Sequence, residues 1–156
     1  MEVAIIRPPL VYGSGVKTNF ESMMCWLVRG VPLPLAAANK NRRSLVALDN
    51  LVDLIVTCLN YPAVANQTFL VSDGEGLSTA DLLRRMGAAL GQHARLFYVP
   101  TALLKLGAIA VNKPGIYQRL CGPLQLDIAK TRQLLDWTPP LSVDEGLRRA
   151  ADGFRK

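Results

Sequence analysis

The chain has 156 residues, 50% hydrophobic and 19% charged, a balance that excludes a disordered tail and is enough for one domain-sized core. Eighteen Lys and Arg against 12 Asp and Glu leave a net charge of +6, which favours anionic partners without choosing between phosphate-bearing small molecules, nucleic acid and anionic membrane. Cys25, Cys58 and Cys121 are odd in number and far apart, and His93 is the only histidine; a disulfide framework and a metal site are both disfavoured, and reduced thiols in a cytoplasmic protein are expected.

Val3 to Ile6 is apolar without alternation, the pattern of a strand covered on both faces in a parallel sheet. Pro8 and Pro9 stop it, and Gly13-Ser14-Gly15 forms a turn. Such a strand needs neighbours on both edges, so the chain reads as beginning in the middle of a fold. No basic leader follows Met1, and the longest apolar stretch, Val99 to Val111, is too short and too interrupted by Pro100 and Lys105 to span a bilayer.

Phe20 to Arg29 places Phe20, Met23, Met24 and Leu27 on one helical face, and Gly30 ends it. The alternating prolines of Val31 to Leu35 force an extended path, followed by a small, basic, flexible loop from Ala36 to Arg43. Ser44 to Leu48 predicts a brief strand. Asp49-Asn50 offers a cap for a helix from Leu51 to Leu59 with Leu51, Leu54, Ile55, Cys58 and Leu59 as its apolar stripe. Gln67 to Ser72 predicts a strand, Asp73 to Gly76 a turn, and Ser78 to Asp81 a capping box opening a helix with Leu82, Leu83, Met86 and Leu90 inward and Gly91 after its end. A short strand at Leu96 to Val99, a helix at Thr101 to Val111, a helix from Asp127 through Leu135 and a last helix capped by Ser142 complete the pattern. Leu147, Ala151 and Phe154 face inward on that last helix. The fold class is α/β, with short strands and several helices.

The sequence has no Gly-x-Gly-x-x-Gly after a strand, no Gly-x-x-x-x-Gly-Lys and no Gly-x-Ser-x-Gly, and His93 falls in a polar turn. Anion binding remains. Lys40, Arg42, Arg43 and Arg119 are the candidates, since arginine presents a planar fork that matches phosphate oxygens; for the loop by itself a solvated basic face is the simpler account. Leu33-Pro34-Leu35-Ala36 reads as an apolar slot for a flat base or as ordinary packing.

Taken together, these pieces resemble a known family. Arg7-Pro-Pro-Leu-Val-Tyr-Gly13, Asn19-Phe20, Arg29-Gly-Val-Pro-Leu-Pro-Leu35, Arg43-Ser-Leu-Val-Ala-Leu-Asp-Asn-Leu-Val-Asp53 and Asp127-Ile-Ala-Lys-Thr-Arg-Gln-Leu-Leu-Asp-Trp137 resemble, in order and spacing over nearly the whole chain, segments of the extended short-chain dehydrogenases/reductases. Within that family they are closest to the C-terminal portion of NAD-dependent nucleotide-sugar epimerases and dehydratases of the UDP-glucose 4-epimerase type. The resemblance implies a residual Rossmann strand and loop at residues 1–15 and a nucleotide-sugar-binding domain at 16–156. It implies that Asn19 contacts the diphosphate-sugar, that Leu33, Pro34, Leu35 and Ala36 flank the uracil, that Arg43 and Arg119 clamp the diphosphate, and that Pro8 and Pro9 approach the nicotinamide. The partner it implies is a UDP-sugar.

The family's Gly-x-x-Gly-x-x-Gly turn and Tyr-x-x-x-Lys pair are not in this sequence: its four tyrosines are followed four positions later by Val16, Ala65, Ala102 and Cys121. No catalytic residue is therefore assigned. NAD is expected in the parent enzyme and none on this chain alone, which is expected to be catalytically inert by itself. The alternatives are the matching part of a dehydratase or reductase, or a binding domain that self-associates through an exposed strand edge. Nucleic acid is not expected as a partner, since the basic residues are not interleaved with aromatics, and no membrane is expected, since no apolar stretch is long enough to span one.

Overall fold

A short parallel ladder anchors the beginning of the chain. In the computed structural model, which describes residues 2–16, 19–110, 115 and 121–155, β1 (Ile5–Arg7) lies beside β4 (Thr68–Leu70), with Ile5 opposite Thr68 and Arg7 opposite Leu70. A second parallel pair joins β2 (Leu10–Tyr12) to β3 (Arg43–Ala47), with Leu10 opposite Leu45 and Tyr12 opposite Ala47. The other elements are α1 (Asn19–Val28), α2 (Leu48–Asn60), β5 (Gly76–Leu77), α3 (Thr79–Ala89), α4 (Thr101–Ala110), α5 (Ala129–Leu135) and α6 (Val143–Phe154). The chain divides into two compact units, Met1–Val16, Ser44–Glu75 and Gln125–Lys156 in the first, Lys17–Arg43 and Gly76–Leu124 in the second.

The first unit closes around Val46, Leu54, Val64, Phe69, Val71, Leu135 and Trp137, with Ile6, Val11, Leu51 and Cys58 packed against them. The β-branched and aromatic residues of the short strands supply one side of this core, and the inward stripes of α2 and α5 the other. Polar side chains fasten it. The Thr131 hydroxyl donates to the Leu70 carbonyl at 2.7 Å, and Trp137 Nε1 donates to Asp53 Oδ2 at 2.7 Å. Helix α6 packs on β2, an approach that needs glycine at position 146: a Cβ there would stand 2.6 Å from Tyr12 Oη and 3.1 Å from Ala47 Cβ. Its N-terminus is capped as expected, Ser142 Oγ accepting from the Glu145 amide at 3.3 Å.

In the second unit α1 packs against α3, burying Phe20, Met23, Met24 and Leu27 from one and Leu82, Leu83 and Met86 from the other. The expected capping box opens α3: Ser78 Oγ accepts from the Asp81 amide at 3.0 Å and donates to Asp81 Oδ2 at 2.7 Å. Gly91 follows the helix at φ 69, the left-handed conformation that glycine adopts without cost.

Several expectations need correction. The run Val3 to Ile6 is not covered on both faces: Val3 and Ile5 are 44% and 46% exposed, while Ile6 alone reaches the core, because among the described residues β1 has a partner on one edge only. Asp49-Asn50 does not cap α2. The helix begins at Leu48 after Ala47, with no side-chain cap, and Asn50 lies inside it, fully buried and committed to other partners. The inward stripe of α2 is Asn50, Leu51, Leu54 and Cys58; Ile55 and Leu59 fall on the outer flank, Leu59 at 81% exposure. The strand expected at Leu96 to Val99 reduces to a single bridge between Leu96 and Leu33. Phe154 is half-buried rather than inside. Residue 111, expected to end α4, and residues 116–120 lie outside the described residues.

Candidate functional site

The extended segment after α1 shows why its residues divide into two sets. Leu33 donates to the Arg95 carbonyl at 2.8 Å and accepts from the Phe97 amide at 3.0 Å, and the Ala36 amide donates to the Phe97 carbonyl at 3.3 Å. Held this way the segment alternates with the period of a strand. Leu33 and Leu35 are 7% and 6% exposed, their side chains spent on the core, and Pro34 and Ala36 stand half-buried on the other side. The two readings of the slot therefore apply to different residues: packing for the leucines, an available apolar face for Pro34 and Ala36.

The following loop is not the flexible one expected. The Asn41 amide group donates to Thr79 Oγ1 at 2.8 Å and accepts from the Thr79 amide at 3.2 Å, while the Ala80 amide donates to the Ala38 carbonyl at 3.1 Å. Both unions seat the loop on the N-terminal turn of α3, where otherwise orphaned donors are satisfied. The basic residues then separate. Arg42 is exposed and its Nη1 donates to the Gly76 carbonyl at 3.0 Å. Arg43 is the first residue of β3 rather than part of the loop, bridged through its backbone to Leu124.

Arg43 is half-buried, and burial holds its guanidinium below the ordinary arginine value, offset in part by the nearby Cys121. Burial pushes the Cys121 thiol up, with Arg43 pulling it back. No carboxylate pairs with Arg43 among the described residues, and residues 111–120 contain no Asp or Glu. A partly desolvated cation left without an acidic partner is costly to hold in a folded chain and is suited to an anion supplied from outside. Its proposed companion, Arg119, lies outside the described residues.

Asn19 is exposed at the first position of α1, and its side chain makes no hydrogen bond among the described residues. Asn19, Leu33, Pro34, Leu35, Ala36 and Arg43 all belong to the second unit, whereas Pro8, exposed, and Pro9, half-buried, lie between β1 and β2 in the first. Two prolines offer contact surface and carbonyl oxygens but no N–H, so they do not fit the task of holding a dinucleotide pyrophosphate, which calls for backbone amides. Among the described residues no group of three His, Cys, Asp or Glu side chains forms a metal site.

Sequence reasoning missed a polar node in the first unit. Tyr12, fully buried, donates to Asp73 Oδ2 at 2.6 Å. Asp73 Oδ1 accepts from the Ala47 amide at 2.9 Å and from Asn50 Nδ2 at 2.7 Å, and Asn50 in turn exchanges bonds with the Leu141 backbone, 2.9 Å each way. The signal was a tyrosine within an apolar strand, whose hydroxyl needs a partner once buried. Its members are bonded to one another and to the backbone, an arrangement that ties segments together.

The whole chain aligns, at 47% identity over 154 residues, with a UDP-glucose 4-epimerase of Vibrio cholerae, covering 99% of this chain and 47% of that protein. Its fold superposes on an epimerase of Methanothermobacter thermautotrophicus with a TM-score of 0.77 at 19% identity, over 99% of this chain and 44% of the other. The chain matches the C-terminal portion of the extended short-chain dehydrogenase/reductase epimerases. A UDP-glucuronic acid 4-epimerase of Bacillus cereus, solved with UDP-glucuronic acid and NAD, has the same fold at a TM-score of 0.72 and 17% identity, over 99% of this chain and 46% of that one. The chain thus spans about half the length of the relatives it matches. No protein-family model matches it.

Proposed function

We propose that this chain is the UDP-sugar-binding portion of an NAD-dependent nucleotide-sugar 4-epimerase, with residues 1–15 a residual strand and loop of the Rossmann sheet and 16–156 carrying the nucleotide-sugar site. The observation that carries the proposal is Arg43, half-buried and without an acidic partner among the described residues. The 47% identity to a UDP-glucose 4-epimerase supplies the ligand class. Arg43, with Arg119, grips the diphosphate; Pro34 and Ala36 present the apolar face for the uracil, held in place by Leu33 and Leu35; Asn19 contacts the diphosphate-sugar. In the parent, NAD would supply hydride removal and return at sugar C4, and Pro8 and Pro9 would offer contact surface on its nicotinamide side. A firm hold on the diphosphate keeps the reacting carbon in place while the sugar ring stays free to reorient. The cytoplasm, where nucleotide sugars are made and thiols stay reduced, is the proposed location.

By this reading the chain alone performs no epimerisation, because it has no Tyr-x-x-x-Lys pair to move the hydroxyl proton. Incubating it with UDP-glucose and NAD and assaying for UDP-galactose tests this: no product is expected, and turnover by the purified polypeptide contradicts it.

A second reading rests on β1. Among the described residues β1 has a partner on one edge only, and its other edge is open to another strand, in the parent the rest of the sheet and in this chain alone a second copy. Size exclusion across a concentration series separates the two: a dimer that grows with concentration and is abolished by Ile5→Lys favours self-association.

A further inference from the structure

The first turn of α3 is closed to water. Ser78, Thr79 and Ala80 are 0%, 3% and 0% exposed, so the amides that begin the helix cannot turn to solvent for partners. They find protein acceptors instead. The Asp81 amide donates to Ser78 Oγ, a local cap. The two before it are served from a distant part of the chain: the Thr79 amide donates to Asn41 Oδ1 at 3.2 Å, and the Ala80 amide to the Ala38 carbonyl at 3.1 Å. Asn41 Nδ2 completes the union by donating to Thr79 Oγ1 at 2.8 Å. The loop from 38 to 41 is thus a cap for α3 as well as the continuation of the Pro34 and Ala36 face.

The path from cap to face is short. The Ala38 amide donates to the Leu35 carbonyl at 3.1 Å, while Ala36 reaches the Phe97 carbonyl by a long bond of 3.3 Å. The apolar face therefore lies between a strand-like attachment on one side and the α3 cap on the other. Without the Asn41 side chain, the Thr79 amide is a buried donor that has lost its acceptor, a cost the loop relieves by shifting to admit water. Such a shift moves Pro34 and Ala36. Arg43 is fixed separately, because the Leu124 amide donates to the Arg42 carbonyl at 2.9 Å and Leu124 bridges Arg43 through the backbone.

We propose that Asn41 is a positioning residue for the nucleoside end of the site: by capping α3 from the loop it holds Pro34 and Ala36 as a preformed wall for a pyrimidine base, while the diphosphate end depends on Arg43. The proposal rests on the UDP-sugar reading and adds to it a residue that acts without touching the ligand.

Calorimetric titration with UDP, and displacement of UDP by inorganic pyrophosphate, read the two ends apart. Asn41→Ala is expected to weaken UDP about five- to tenfold and pyrophosphate by less than about twofold. Thr79→Val removes the hydroxyl and keeps the amide, and should weaken UDP by roughly two- to fourfold. Thr79→Ser keeps the hydroxyl and should match the unaltered chain. Asn39→Ala, at an exposed asparagine of the same loop, should change neither ligand. Circular dichroism checks that each variant is folded; should Asn41→Ala not fold, the Thr79 pair decides. UDP binding unchanged by Asn41→Ala and Thr79→Val, pyrophosphate binding that falls in step with UDP, or an equal loss from Asn39→Ala overturns the proposal, and leaves the UDP-sugar reading standing so long as UDP binding depends on Arg43. UDP binding that is absent or ignores Arg43 overturns that reading and this proposal with it.

Discussion

Tyr12 and Asp73, 61 positions apart in sequence, share a hydrogen bond of 2.6 Å in which the tyrosine hydroxyl donates to the carboxylate. Burial pushes the Tyr12 hydroxyl far up, so it remains a neutral donor. Burial raises Asp73 as well, and the donors from Tyr12, Asn50 and Ala47 pull it back. Tyr12→Phe removes one of those donors and should cost about 1.5–3 kcal/mol of unfolding free energy, the range for a hydrogen bond to a charged group. Urea unfolding measures it, and a cost below about 0.5 kcal/mol would show that the bond is dispensable.

The same node sets a pH dependence. The Asp73 carboxyl is raised in the folded chain, so its favourable contribution is complete below its unfolded value of about 3.9 and is lost as pH rises through the folded value. Tyr12→Phe removes a lowering influence, so the folded value climbs further and this loss is displaced to higher pH. NMR titration of the Asp73 carboxyl in both proteins reads the displacement directly; an unchanged or lowered midpoint in the variant contradicts the assignment.

Glycines 146 and 107 should respond in opposite ways. Gly146→Ala sets a methyl 2.6 Å from Tyr12 Oη, so α6 must lift from β2 or the tyrosine must move, at about 1–3 kcal/mol. Nothing lies within 4 Å of a Cβ at Gly107 in α4, and Gly107→Ala should stabilise the chain by about 0.4–1 kcal/mol. Thermal unfolding of the two variants side by side tests the pair.

The sequence carried most of this architecture where one local rule operated. Ser78 and Ser142 are caps because a hydroxyl three residues before an acidic side chain satisfies the first turn, and Phe20, Met23, Met24 and Leu27 are buried because their spacing admits one face. Asn50 failed for the opposite reason. Locally it is a good cap, but its amide finds Asp73 and Leu141, both distant in sequence, and a fully satisfied buried network outweighs a cap. Ile5 failed because apolar runs report what a strand can bury and not whether the covering layer lies within the same stretch of chain. At the candidate site, composition grouped Lys40, Arg42 and Arg43 as one basic loop. Only the register of β3 and the pinning of Asn41 on Thr79 separate a half-buried Arg43 from an Arg42 engaged with a carbonyl.

That separation has a stability consequence. Arg43 pays for partial desolvation without an acidic partner among the described residues, so Arg43→Met should leave the ligand-free chain as stable or up to about 1 kcal/mol more stable. A loss above about 1 kcal/mol in denaturant unfolding would mean that Arg43 serves the fold rather than a ligand.

The central claim is tested most directly by calorimetric titration of UDP into the chain and into its Arg43→Ala and Arg42→Ala variants. The account predicts that Arg43→Ala weakens binding by about 1.5–3 kcal/mol, roughly tenfold to over a hundredfold, while Arg42→Ala changes it by less than about threefold. Equal losses for the two, or UDP binding indifferent to Arg43, would contradict it.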